Sequence, residues 1–66
     1  MPYAANEDLP EPVRAHLPPH AQDIYREAFN HAWERYGDEA TAHRVAWGAV
    51  KRLYVKDRGY WVPRSP

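Results

Sequence analysis

Between Pro19 and Tyr54 the apolar residues recur at steps of three and four, with one interruption at Gly37. At about 100° per residue, Ala21, Ile24, Tyr25, Ala28, Phe29, Ala32, Trp33 and Tyr36 fall on one broad helical face. Asp23, Glu27, Asn30 and Glu34 lie opposite, so that side is expected to be acidic and wet. Pro19 suits the first turn of this helix and Gly37 the position just past its end. A second stripe, Ala42, Val45, Ala46, Ala49, Val50, Leu53 and Tyr54, predicts another helix beginning at Asp38 or shortly after. Asp38, Glu39 and Thr41 all suit a positive helix N-terminus. Arg44, Gly48, Lys51 and Val55 occupy the far side of that helix, with Trp47 at the border. A mid-helix Gly48 costs roughly 1 kcal/mol relative to alanine, which either a close backbone approach or plain exposure accommodates.

The flanking segments are less periodic. Asp8-Leu9-Pro10-Glu11 has the spacing of a capping box, and Val13, Ala15 and Leu17 follow. They predict a helix of about two turns, ended by Pro18-Pro19. Its start falls anywhere between Asp8 and Pro12, because Pro10 and Pro12 bias the residues before them towards extended backbone. Met1 to Asn6 reads as an arm. At the other end, Lys56-Asp57-Arg58-Gly59 reads as a turn and Tyr60-Trp61-Val62 as a short strand, with Trp61 on the side away from Tyr60 and Val62. A lone strand leaves its backbone groups unpaired, so a pairing with Pro2-Tyr3-Ala4 is expected. The fold expected for residues 1–66 is a mainly all-α, compact three-helix single domain with a minor β pairing of the N-terminal arm and the C-terminal segment.

Composition sharpens this picture. The chain has 66 residues and no cysteine, so disulfides cannot supplement a small core. Domains of about 60 residues bury only roughly 60% of the surface their unfolded chains expose. Three Trp, five Tyr and one Phe take over part of the load, each removing on the order of 150–250 Å² from water when buried. The longest apolar run, Val45 to Val50, is far short of the ~20 residues a bilayer span needs. The first residues have neither a basic start nor an apolar stretch, which argues against a secretory signal and favours a cytoplasmic location.

Net charge is zero but sorted. Residues 1–42 carry three basic and eight acidic residues, a net −5. Residues 43–66 carry six basic ones against Asp57 alone, a net +5. Such a division either steers partners or neutralises itself across the fold.

Little catalytic chemistry is legible. Of the four histidines (His16, His20, His31, His43), two form i,i+4 pairs with carboxylates, Glu27–His31 and Glu39–His43. Zinc sites want three or four ligands at closer spacing, so these pairs read as helix-surface electrostatics. His20, at the Pro-Pro junction, reads as a local structural residue. Ser65 is the only serine and Thr41, a helix-start residue, the only threonine. No nucleophile with an adjacent base can be assembled, so no enzyme and no cofactor is expected. Calcium sensing by Asp23, Glu27 and Glu34 lacks the carbonyl-bearing loop such sites use. The basic half, by contrast, interleaves Arg44, Lys51, Arg52, Lys56, Arg58 and Arg64 with Trp47, Tyr54, Tyr60 and Trp61. That mixture suits either phosphate contacts with base stacking or a protein interface centred on Trp47.

The runs Leu17-Pro18-x-His20-Ala21-Gln22 and Ala42-His43-Arg44-Val45-Ala46-Trp47, followed by a late Trp61, resemble the ChaB family, described as regulators of cation transport. The resemblance spans about Met1 to Trp61. It implies a compact helical fold with minor β structure and an association with a membrane sodium–calcium/proton antiporter. Viral relatives are thought to bind DNA. This chain departs from the family pattern at Gly37 to Ala40, where the connection between the long helices is short. The family brings no catalytic set to carry over. Its motif positions that packing explains least are His20, Gln22, His43, Arg44 and Trp47. With Gly48, Lys51, Arg52, Lys56 and Arg58 they form the expected contact set. The reading is a non-enzymatic regulatory or adaptor module acting through a protein partner, with nucleic-acid binding by the basic half as the alternative.

Overall fold

The computed structural model describes residues 2–64, so Met1 of the arm and Ser65 lie outside the described residues. A 3-10 turn at Asn6–Asp8 leads into α1 (Glu11–His16), α2 (Pro19–Tyr36) and α3 (Glu39–Leu53), then a hairpin of β1 (Tyr54–Asp57) and β2 (Tyr60–Pro63). The mainly helical architecture with minor β structure is the one expected.

Both ends of α2 fall where the sequence placed them. Pro19 is its first residue, and Gly37 adopts the left-handed conformation (φ 65°), its amide donating to the Trp33 carbonyl at 2.8 Å. Asp38 then caps α3, its carboxylate accepting from the Thr41 amide at 3.0 Å. These two residues turn the chain back on itself. Tyr25 therefore meets Trp47 and Phe29 meets His43, pairings that advance along α2 while retreating along α3.

Ala21, Tyr25, Phe29 and Ala32 of α2 are buried against Ala42, Ala46 and Val50 of α3. Alanines at the crossing let the two helices approach, and the aromatic rings fill the volume beside them. Leu9, Val13 and Leu17 close the core from the N-terminal side, and Tyr54 does so from the hairpin. Trp33 packs against this core only half-buried. Tyr36, Val45 and Leu53 stay largely exposed although they share the apolar stripes.

The junction between α1 and α2 is held by a side chain. Gln22 donates through Nε2 to the Leu17 carbonyl at 2.8 Å and to the Arg14 carbonyl at 3.4 Å, satisfying acceptors that the Pro18-Pro19 break orphans.

The β pairing differs from expectation in its partner. The strand Tyr60–Pro63 pairs with Tyr54–Asp57, antiparallel, with Tyr54 opposite Pro63, Val55 opposite Val62, Lys56 opposite Trp61 and Asp57 opposite Tyr60. The N-terminal arm does not take part, for two reasons. The Asn30 side chain clamps Tyr3 by accepting from its amide and donating to its carbonyl, both at 2.8 Å, while the Tyr3 ring packs on Phe29 with centroids 4.7 Å apart. Those backbone groups are therefore unavailable. A local hairpin also closes a far shorter loop than a pairing across the whole chain. Its turn is Arg58-Gly59, both at positive φ (53° and 87°), as a two-residue type I′ turn requires. The predicted four-residue turn is thus two residues long, and Lys56 and Asp57 belong to β1. Tyr54 and Val55, read as helical, instead start β1, in keeping with the strand preference of aromatic and β-branched residues.

Candidate contact surface

On α3, Ala42, Ala46 and Val50 mark the inward direction. Arg44 and Gly48 point close to the opposite way, and both are exposed. A Cβ added at Gly48 would meet nothing within 4 Å, so the glycine serves no intramolecular close approach. Trp47 and Lys51 sit between these directions, on one flank of the helix, one turn apart.

That flank is where the hairpin folds back. The Arg64 amide donates to the Leu53 carbonyl at 2.9 Å, and its Nε donates to the Lys51 carbonyl at 2.8 Å. The returning strand lays Trp61 against Trp47, with centroids 5.5 Å apart and planes inclined by 33°. Trp47 in turn stands edge-on to the buried Tyr25 at 5.1 Å and 77°. Because Lys56 is the cross-strand neighbour of Trp61, it arrives at the same place. The outcome is a cleft of about 370 Å³ lined by Pro12, His16, Trp47, Lys51, Lys56 and Trp61. Both tryptophans are half-buried, both lysines exposed, and no carboxylate lines the cleft.

The structure divides the expected contact set. Trp47, Lys51 and Lys56 converge on the cleft. Arg44, Gly48, Arg52 and Arg58 are exposed outside it, Arg58 in the hairpin turn. His20, Gln22 and His43 are engaged within the fold. His20 Nδ1 hydrogen-bonds the Tyr54 hydroxyl at 2.9 Å, tying α2 to β1. His43 Nδ1 is hydrogen-bonded to the Tyr25 hydroxyl, and its ring lies 4.7 Å from that of Phe29. Sequence reasoning did not bring Pro12, His16 or Trp61 to Trp47. The available signal was Trp61 standing alone on its side of the strand.

Burial raises one titration near this surface, and hydrogen bonding lowers another. Desolvation pushes the Tyr25 hydroxyl up to about 12, with a smaller contribution from Tyr3. The Asp38 carboxyl is held below its ordinary value, first by the Thr41 hydroxyl, then by the Thr41 amide and, more weakly, by Arg44.

Charge is not neutralised across the fold. Among the described residues the one ion pair is Arg26–Asp23 at 3.7 Å, inside α2, so the cations of the C-terminal half stand without carboxylate partners. The expected acidic face is partly occupied as well. Asn6 donates to Asp23 at 2.7 Å and accepts from Arg26 at 2.8 Å, and Asn30 holds the arm. A second hollow, of about 620 Å³, follows the α2–α3 seam along His20, Asp23, Ile24, Glu27, Ala28, His31 and Ala49. No three potential metal ligands gather among the described residues. No described helix is long and apolar enough to cross a membrane.

Comparison with known proteins places this geometry. The ChaB family profile matches residues 9–64. The chain belongs to the ChaB family. It is 51% identical to the Escherichia coli K12 protein named "Putative cation transport regulator ChaB", over 98% of this chain and all of that protein, and equally similar to the Shigella flexneri protein of the same name. The alignment runs over 76 positions, so the relative carries residues that this 66-residue chain lacks. An NMR solution structure under the same name covers 97% of this chain and all of its own at 51% identity, with a TM-score of 0.86. A 10.9 kDa protein of Lymantria dispar multicapsid nuclear polyhedrosis virus is 43% identical over 85% of this chain and 58% of its own length.

Proposed function

We propose that this ChaB-family chain is a non-enzymatic regulatory module of the cytoplasm. It acts on membrane cation transport, of the Na⁺/Ca²⁺–proton antiport type, by contacting another protein. Two facts support the reading together: the name borne by relatives 51% identical over their full length, and the Trp47–Trp61 pair reaching solvent beneath two unpaired lysines. The second is the observation that carries the contact mechanism. Tryptophan is among the residues most enriched at interface hot spots, and the two lysines add charge that can steer an acidic partner.

The test uses everted membrane vesicles that carry such an antiporter, with ion-driven proton movement followed by a pH-sensitive dye. Added chain is expected to change the rate or the half-saturating ion concentration. An antiporter indifferent to saturating amounts of folded chain contradicts the reading.

A second reading, nucleic-acid binding by the same basic half, rests on its unpaired cations. Phosphate-driven binding falls steeply with salt, with a slope of about −0.9 per phosphate neutralised on duplex DNA. Fluorescence anisotropy of a labelled duplex at two salt concentrations separates the two readings.

A further inference from the structure

The cleft between α1, α3 and the hairpin has a chemistry that narrows what can occupy it. Its floor is aromatic, formed by Trp47 and Trp61 at 5.5 Å. Its rim is Lys51, Lys56 and the His16 imidazole, with Pro12 closing the α1 side. Neither lysine has a carboxylate partner among the described residues, and no acidic side chain lines the space. At about 370 Å³ it sits near the small end of ligand pockets, which run to about 300–1,000 Å³. That is room for one large side chain with adjoining backbone, not for an extended molecule. The floor is also fixed in place. Tyr25 supports Trp47 from below, the Lys56–Trp61 cross-strand pairing sets the hairpin side, and the Arg64 bonds to the end of α3 hold the hairpin down.

We infer that this cleft takes an acidic segment of a partner protein. One aromatic or large aliphatic side chain of that segment is seated between Trp47 and Trp61, and its flanking carboxylates meet Lys51 and Lys56. The inference rests on the protein-contact reading above and names the partner's chemistry. Charge complementarity favours a short acidic segment over a nucleic acid. A peptide places a few negative charges at the rim, whereas a polyanion would also run past the acid-rich part of the chain, residues 1–42 with a net −5. An apolar floor with a charged rim further rewards a ligand that has both features and penalises one that has either alone.

The three tryptophans supply the test. In a ¹⁵N-labelled sample each indole N–H gives its own signal, and Trp33, stacked on Phe29 at 6.5 Å and outside the cleft, is an internal control. The probe is the synthetic peptide Glu-Asp-Glu-Phe-Glu-Asp-Glu. Its comparators are the same peptide with serine replacing phenylalanine, the same peptide with glutamines and asparagines replacing the acids, and a thymidine oligonucleotide of equal length. The acidic phenylalanine peptide is expected to shift the Trp47 and Trp61 indoles and leave Trp33 in place. Each comparator is expected to bind about tenfold or more weakly. The variant Lys51→Glu/Lys56→Glu, whose unchanged Trp33 signal reports an intact fold, is expected to lose the response. Tighter binding of the oligonucleotide, equal binding of the serine peptide, or no shift at Trp47 and Trp61 overturns the inference. A chain that alters antiport in vesicles yet ignores the acidic peptide would contradict the acidic-segment assignment alone. A chain that binds the peptide and leaves every antiporter unaffected would contradict the transport role alone.

Discussion

The Tyr25–Phe29–Trp33 ladder runs along α2 with rings nearly parallel, at 6.4 and 6.5 Å, and its first two members are wholly buried. The Trp47–Trp61 rings lie closer, at 5.5 Å, but are inclined by 33°; the pair touches the ladder at Tyr25, and both its rings are only partly buried. The polar neighbours differ as much as the burial does. The ladder's one buried hydroxyl, on Tyr25, is bonded to His43. Beside the outer pair, Lys51 and Lys56 bond to nothing through their side chains among the described residues. Aromatic stacking therefore does not by itself distinguish core from contact surface. What distinguishes them is whether the surrounding polar groups are satisfied inside the fold, since a satisfied group has no free energy left to give a partner.

The contrast can be broken most severely in the ladder. Phe29→Ala is expected to cost about 3–5 kcal/mol, the usual range for truncating a buried aromatic, and to unfold much of the population of so small a domain. Chemical denaturation followed by circular dichroism measures it. A variant that stays folded with a nearly unchanged midpoint would place the core elsewhere.

Next in size is an alkaline effect on the same ladder. The Tyr25 proton is held up to about 12 in the folded chain against an ordinary 10.0. The folded state thus binds the proton more tightly than the unfolded one. The corresponding stability is fully present below pH 10 and is lost as pH rises from 10 to about 12. The loss is on the order of 2–3 kcal/mol. Tyr25→Phe should remove this component of the alkaline decline. An identical pH profile in wild type and variant would show that the hydroxyl is not desolvated.

The smallest change sharpens the outer surface. Gly48→Ala is expected to raise stability by about 0.4–1 kcal/mol, because the new methyl meets only open space and the unfolded chain loses freedom. It should leave binding at the cleft unchanged, as Gly48 points away from it. Loss of binding in the more stable variant would extend the contact surface across the outward face of α3.

How much of this was legible follows from the range of the forces involved. The two long helices, the Pro19 start, the Gly37 stop and the Asp38 cap are local signals, each readable within a turn of helix. The hairpin itself is local, with its signal in the Arg58-Gly59 turn, but the expected partner of its second strand was the N-terminal arm. What removes that partner is distant in sequence, the Asn30 side chain that occupies the Tyr3 backbone groups. His43 and Gln22 stood out in the sequence as polar residues that a stripe does not explain. Their explanation lies in the folded arrangement, a hydroxyl from α2 for His43 and the Arg14 and Leu17 carbonyls at the end of α1 for Gln22. The cleft was half visible. Trp47, Lys51 and Lys56 were all singled out, but only the hairpin register brings Trp61 and Lys56 to Trp47 together. The charge division was plain from composition, whereas its failure to neutralise itself could be seen only in the arrangement of the folded chain.

The central claim is that the outer pair with its lysines acts on a partner and the inner ladder only holds the fold. Its most direct test is Lys51→Glu/Lys56→Glu in the antiport assay, with the melting temperature taken on the same sample. Both side chains are exposed and without ion-pair partners among the described residues, so reversal is expected to move stability by no more than about 0.5 kcal/mol. The account predicts a normally melting variant that no longer alters transport. A variant that melts normally and still alters transport as the wild type does would contradict it.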